Sequence, residues 1–109
     1  MTMTAPATLP VLFRADRSGE HKGEITAVFP TCPGTDAHDF TVYAHVGQHS
    51  SGSFGWYREK TRAAKPSEYA PLLAELRRIY GREPDAVTLR VVQRFHPTYH
   101  LARKKEMAR

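Results

Sequence analysis

The sequence predicts an α+β domain, on three observations. Gly23 to Phe29 and Asp85 to Phe95 alternate apolar and polar residues, as half-buried strands do. Between them, Tyr69, Leu72, Leu73, Leu76, Ile79 and Tyr80 recur at helical spacing on one face. The order reads β-β-β-loop-α-β. The expectation is a mostly antiparallel sheet of about four strands, one amphipathic helix packed on one face, and a basic C-terminal tail.

Each element has its own warrant. Met1 to Pro10 is rich in Thr, Ala and Pro without periodicity and reads as a flexible arm (residues 1–10). Val11 to Ala15 is a first strand, closed by the turn-forming Asp16-Arg17-Ser18-Gly19. The second strand puts Ile25, Ala27 and Phe29 on one face and Glu24, Thr26 and Val28 on the other. Pro30 to Asp36 reads as a loop, because its prolines lack the N–H a ladder needs. Phe40 to Val46 is the third strand, with Phe40, Val42, Ala44 and Val46 opposite Thr41, Tyr43 and His45. Gly47 to Lys65 shows no clear period, although Phe54 to Arg58 could add a short strand, and long loops of this kind are often functional.

The helix is expected over Pro66 to Tyr80, with Pro66 at its first position and Gly81 at its C-terminal end, and Pro71 distorting or delaying the first turn. A last strand puts Val87, Leu89, Val91 and Phe95 inward and Thr88, Arg90, Val92 and Arg94 outward. One α+β domain thus spans residues 11–95. Residues 96–109, with Arg103, Lys104, Lys105 and Arg109 against Glu106, form a short helix or a loose basic tail.

Composition narrows the function. The 109-residue chain is one domain, 40% hydrophobic and 25% charged. No apolar run approaches the ~18 residues of a membrane span and no signal-peptide pattern is visible, so a cytoplasmic location is expected. Cys32 is the only cysteine, which excludes an internal disulfide and a multi-cysteine zinc cage. The net charge of +5 is uneven: residues up to Tyr57 carry −2 and those from Arg58 onward +7. Such a basic half suits a polyanion or an acidic protein surface, or serves only solubility.

Catalytic signatures are weak. His45 and His49 are four apart, as are His96 and His100, the spacing of zinc ligands on a helix, but the first pair straddles a strand end and no metalloprotease glutamate accompanies it. Cys32 lies beside Pro33 with no helix start to activate its thiol. The Gly47 to Gly55 loop lacks a phosphate-loop lysine, and Asp36 and Asp39 read as turn residues. No catalytic residue, metal or cofactor is expected.

Binding is better supported. One helix covers one sheet face, so the other face is expected to be open and to carry Arg14, Glu24, Thr26, Tyr43, His45, Arg90 and Arg94. The candidate contact residues are Tyr43, His45, His49, Trp56, Tyr57, Arg90, Arg94, Arg103, Lys104 and Lys105, combining charge with rings for stacking. Trp56 could instead cap a core edge.

The segments Val11 to Arg14, Gly23 to Pro30, Tyr43 to His49, Thr61 to Ala64, and Glu68-Tyr69 with Leu72 and Leu76 resemble a family of small uncharacterised proteins encoded on bacterial conjugative elements, plasmids and phages. The resemblance runs from about Val11 to Arg103, and its most specific element is the run from His45 to His49. Lys65, in place of a capping Ser or Thr, Pro71, and the connection Gly81 to Pro84 depart from the pattern. What it implies is an accessory protein of a mobile element, whose partners are DNA, nucleoprotein machinery or a host defence complex. With the basic and aromatic residues above, the leading expectation is a non-enzymatic protein that engages nucleic acid or a nucleoprotein complex, inhibition of a host defence system being one such role. The alternatives are a protein-protein adaptor, including a homodimer or a binder of a host protein complex, and, third, a small metal-dependent or hydrolytic enzyme.

Overall fold

The computed structural model describes residues 7–44, 49–82 and 86–108, and it shows an α+β fold built on an open, mostly antiparallel sheet. Its elements are β1 (Ala7–Asp16), β2 (Ile25–Pro33), β3 (Phe40–Tyr43), β4 (His49–Gly52), α1 (Phe54–Glu59), β5 (Thr61–Ala63), α2 (Pro66–Tyr80), β6 (Val87–Val91) and α3 (Thr98–Met107). The sheet order is β4-β3-β2-β1-β5, with β6 also on β1. His45, Val46, Gly47 and Gln48, part of the expected N-terminal arm (residues 1–6), and Arg109 lie outside the described residues.

β1 explains most of the topology. Its first half pairs in parallel with β6, from Ala7↔Val87 to Val11↔Val91, and its second half pairs antiparallel with β2 and β5. The Val11 carbonyl accepts from the Val92 N–H and the Phe13 carbonyl from the Ala64 N–H. Carbonyls two residues apart leave a strand on the same side, so β5 and β6 share one edge of β1 end to end. Ala7 to Pro10, expected in the arm, are therefore strand: β6 supplies the ladder, a partner far away in sequence. Where β1 turns into β2, Gly19 and Gly23 both take a φ of +87°, which other residues adopt only with strain.

β2 runs through the two prolines expected to end it. Its register with β3 jumps from Phe29↔Thr41 to Pro33↔Phe40, so Pro30 and the residues after it lie in a bulge, where a missing N–H costs no ladder bond. The stretch expected as a long loop holds β4, α1 and β5, and Phe54 to Arg58, expected as a short strand, is helical instead. Ser53 starts α1: its backbone is extended and its Oγ accepts from the Trp56 N–H at 3.2 Å.

α2 follows the expected bounds. Pro66 sits in the first turn, Lys65 donates its backbone N–H to the Glu68 carboxylate at 2.8 Å, and the Gly81 N–H closes the helix on the Arg77 carbonyl. Pro71 is accommodated inside the helix on an exposed face. Leu72, Leu73 and Leu76 are buried, and Tyr69 stacks on Phe13 at 4.4 Å. Ile79, expected on the core face, is 39% exposed at the end of the helix.

Both sheet faces are covered, which corrects the expected open face. Under α2 lie Val11, Phe13, Ala27, Phe29, Tyr43 and Leu89. On the other face Leu12, Val28, Phe40 and Val42 pack against Phe54, Trp56 and Tyr57 of α1 and against Val92 and Phe95. The phases within β2 and β3 hold, but the register pairs Tyr43 with Ala27 and Arg14 with Thr26. Tyr43 is thus under α2, while Arg14 and Thr26 lie on the α1 face. Leu76 and Phe29 are almost fully buried, and truncating either to Ala costs about 2–5 kcal/mol.

Candidate functional site

The residues expected to form one contact surface separate into three groups. The first is structural. Arg103, on α3, is only 2% exposed. Its guanidinium donates to the Pro30 carbonyl at 2.7 Å and the Ala37 carbonyl at 3.0 Å, and lies 3.4 Å from His100 Nδ1. The rings of Phe54 and Phe95 lie 5.3 and 5.8 Å from its central carbon. Burial holds its pKa below the ordinary arginine value. Arg103 ties α3 to the β2 bulge and is no surface contact, because that bulge offers carbonyls that a rigid fork of donors can satisfy. Arg14 acts similarly on α1 and β5. It lies 4.1 Å over the Tyr57 ring and donates to Thr61 Oγ1 and to the Tyr57 and Thr61 carbonyls.

The second group is a polar aromatic cluster between β3, β4 and α2. Tyr43 is 3% exposed and donates its hydroxyl to the Glu75 carboxylate, which, with burial, pushes its pKa up. His49 is not carried away from the strand by a loop: it opens β4 directly opposite Tyr43. Its Nε2 shares a 2.7 Å hydrogen bond with the Tyr80 hydroxyl, and its ring lies 4.9 Å from that of Tyr43. Cys32 packs against the same core, and burial raises its thiol pKa, so it is a poor nucleophile. Glu75 and Tyr80 belong to this site and were not expected in it. Tyr80 reads as core from its helical spacing, and no sequence signal marks Glu75.

The histidines four apart at the C-terminal end do not converge. His96 Nδ1 accepts from the Thr98 N–H at 3.3 Å, at the start of α3, while His100 lies 5.7 Å from His38. Among the described residues, no group of three or more His, Cys, Asp or Glu is placed to hold a metal ion. Asp36 and Asp39 do serve the turn, accepting from the His38 N–H and the Thr35 hydroxyl.

The third group is exposed. Arg90 on β6, Arg94 after it, and Lys104 and Lys105 on α3 all reach solvent, and no acid among the described residues forms an ion pair with any of them. Elsewhere Arg62 is paired through a two-pronged bridge to Glu68, at 2.9 and 2.7 Å. Arg62 and the Lys65 N–H hold the Glu68 carboxyl down at about 2. Trp56 and Tyr57 fall between the groups: both are half-buried against Phe40, and Trp56 also borders a cleft beside β4. Among the described residues no helix is long and apolar enough to cross a membrane. Of the expected contact residues, the structure leaves His49, Arg90, Arg94, Lys104 and Lys105 exposed, Trp56 and Tyr57 half-exposed, and Tyr43 and Arg103 built into the scaffold, while His45 lies outside the described residues. Scans against protein-family models and searches of curated proteins and of solved structures return no match to this chain.

Proposed function

We propose that this chain is a non-enzymatic binding protein that engages nucleic acid, alone or within a nucleoprotein complex, as an accessory factor of a mobile element. The observation that supports this reading is the exposed set Arg90, Arg94, Lys104 and Lys105, which no acid among the described residues pairs. Unpaired surface cations bind phosphates by releasing condensed counterions, with no need of a catalytic centre. These four cations lie on the C-terminal strand, its following turn and α3, the surface this reading takes as the contact. Titrating labelled single-stranded and duplex DNA and RNA at about 50 and 200 mM salt tests it. Binding that weakens steeply across that range is expected; no binding at the lower salt sinks the proposal.

A second reading, a homodimer or protein adaptor, is favoured by Leu101 and Met107, which are 65% and 43% exposed on α3. A concentration-independent monomer mass from light scattering would rule out the homodimer.

A further inference from the structure

Beside the exposed edge strand, on the face opposite α2, the structure contains a cleft of about 470 Å³. Thr26, Asp39, Val42, Ser50, Ser53 and Trp56 line it. Its volume falls within the ~300–1,000 Å³ of small-ligand sites. We propose that it receives one unstacked nucleobase of a bound single strand; this rests on the nucleic-acid reading above.

The lining selects for an uncharged ring. Val42 and Trp56 give it apolar surface, Thr26, Ser50 and Ser53 give it hydroxyls, and Asp39 gives it a carboxylate. No Lys or Arg among the described residues lines it, so a phosphate inside would meet Asp39 and no cation. A base has what this site asks for: flat apolar faces for the indole, and ring or exocyclic N–H groups for a carboxylate acceptor. One Asp39 oxygen accepts from the Thr35 hydroxyl at 3.0 Å, which leaves the other to accept from a ligand.

Trp56 is held ready. Its ring packs 6.4 Å from Phe40, and its backbone N–H donates to Ser53 Oγ, which limits the reordering needed to stack. The phosphates on either side of the base would stay outside the cleft, in solvent.

Trp56 is the only tryptophan, so its fluorescence reports on the cleft directly. The full chain is titrated at about 50 mM salt with single-stranded oligonucleotides, duplex DNA, free nucleosides and a neutral disaccharide. Single strands and nucleosides are expected to quench saturably, and duplex to bind without quenching. Ser50→Leu, at an exposed position facing the cleft, fills it without touching the core. It is expected to abolish quenching and weaken single-strand binding about tenfold, the order expected of one lost base stack. Its duplex affinity and melting temperature stay as in the parent. Asp39→Asn is expected to shift the preference among bases that carry exocyclic amino groups.

Salt-dependent binding without quenching, equal quenching by duplex, or no effect of Ser50→Leu overturns the cleft and leaves the basic surface standing. Quenching by the disaccharide alone assigns the cleft to sugars and overturns it too. Absence of any nucleic-acid binding overturns both readings.

Discussion

Arg103→Ala separates scaffold from surface more sharply than any other change. In the basic run from Arg103 to Lys105 all three cations look alike, yet only Arg103 is buried. The substitution leaves the buried Pro30 carbonyl and the part-buried Ala37 carbonyl without their donor, and orphaning a buried acceptor costs about 1–3 kcal/mol, less for the part-buried one. It also strips the side chain from between Phe54 and Phe95. Against this, no buried charge remains to be desolvated, since the guanidinium has no acid partner among the described residues. The net expectation is a loss of about 3 kcal/mol.

Unfolding entropy near 60 °C is about 2.1 cal/mol/K per residue, so over 109 residues this loss lowers Tm by about 13 °C. Arg103→Met restores volume but not donors and should fall in between. Lys104→Ala and Lys105→Ala should each stay within about 0.5 kcal/mol of the parent. Thermal and urea unfolding followed by circular dichroism measure all four, with the urea slope expected to be unchanged. The folded Arg103→Ala protein should bind nucleic acid like the parent. A Tm fall for Arg103→Ala no larger than that of the lysine variants, with a comparable loss of nucleic-acid affinity, would refute the reasoning.

Three further outcomes follow from particular contacts. The Glu68 carboxyl is held at about 2 by Arg62 and the Lys65 N–H, below its ordinary value of 4.5, so its stabilising effect is full above 4.5 and fades as pH falls toward 2. Acid unfolding of Glu68→Gln should lose that part of the pH dependence, and an unchanged profile would count against the bridge. Pro71→Ala should raise stability by about 2 kcal/mol, because an interior helical proline costs about 3 and the gain in unfolded-chain entropy takes back up to about 1; an unchanged or lower Tm would mean that Pro71 itself is needed where it sits. For the proposed surface, Lys104→Ala and Arg90→Ala should each reduce the slope of log affinity against log salt by about 0.7 on single strands, equally for all sequences. A loss confined to one sequence would instead mark a base contact.

The α2 stripe from Tyr69 to Tyr80, its end signals at Pro66 and Gly81, and the phases within β2, β3 and β6 up to Val91 were legible in the sequence, because period and turn chemistry are local. Past Val91, both Val92, expected outward, and Phe95, expected with Leu89, pack on the α1 face. β4, α1 and β5 were not legible. At four, six and three residues they are too short to establish a period, and they exist because Tyr43, Arg14 and Phe40 supply partners. Much of the expected contact surface was misread for a related reason. Alternation fixes which residues of one strand share a face, but only the pairing register decides which faces of different strands coincide. Tyr43 thus went to Glu75 under α2, while Arg14 went to Tyr57 on the other side.

The sequence by itself determined an α+β class, one firm helix, a lone cysteine and an excess of positive charge after Tyr57. Tertiary structure alone decided that both faces of the sheet are covered, that β6 makes a strand of Ala7 to Pro10, and that one cation of the tail is buried. The physical reason is distance along the chain: Pro30 in the β2 bulge and Ala37 in the turn after it present carbonyls whose donor, Arg103, lies 73 and 66 residues away, beyond the reach of any local pattern.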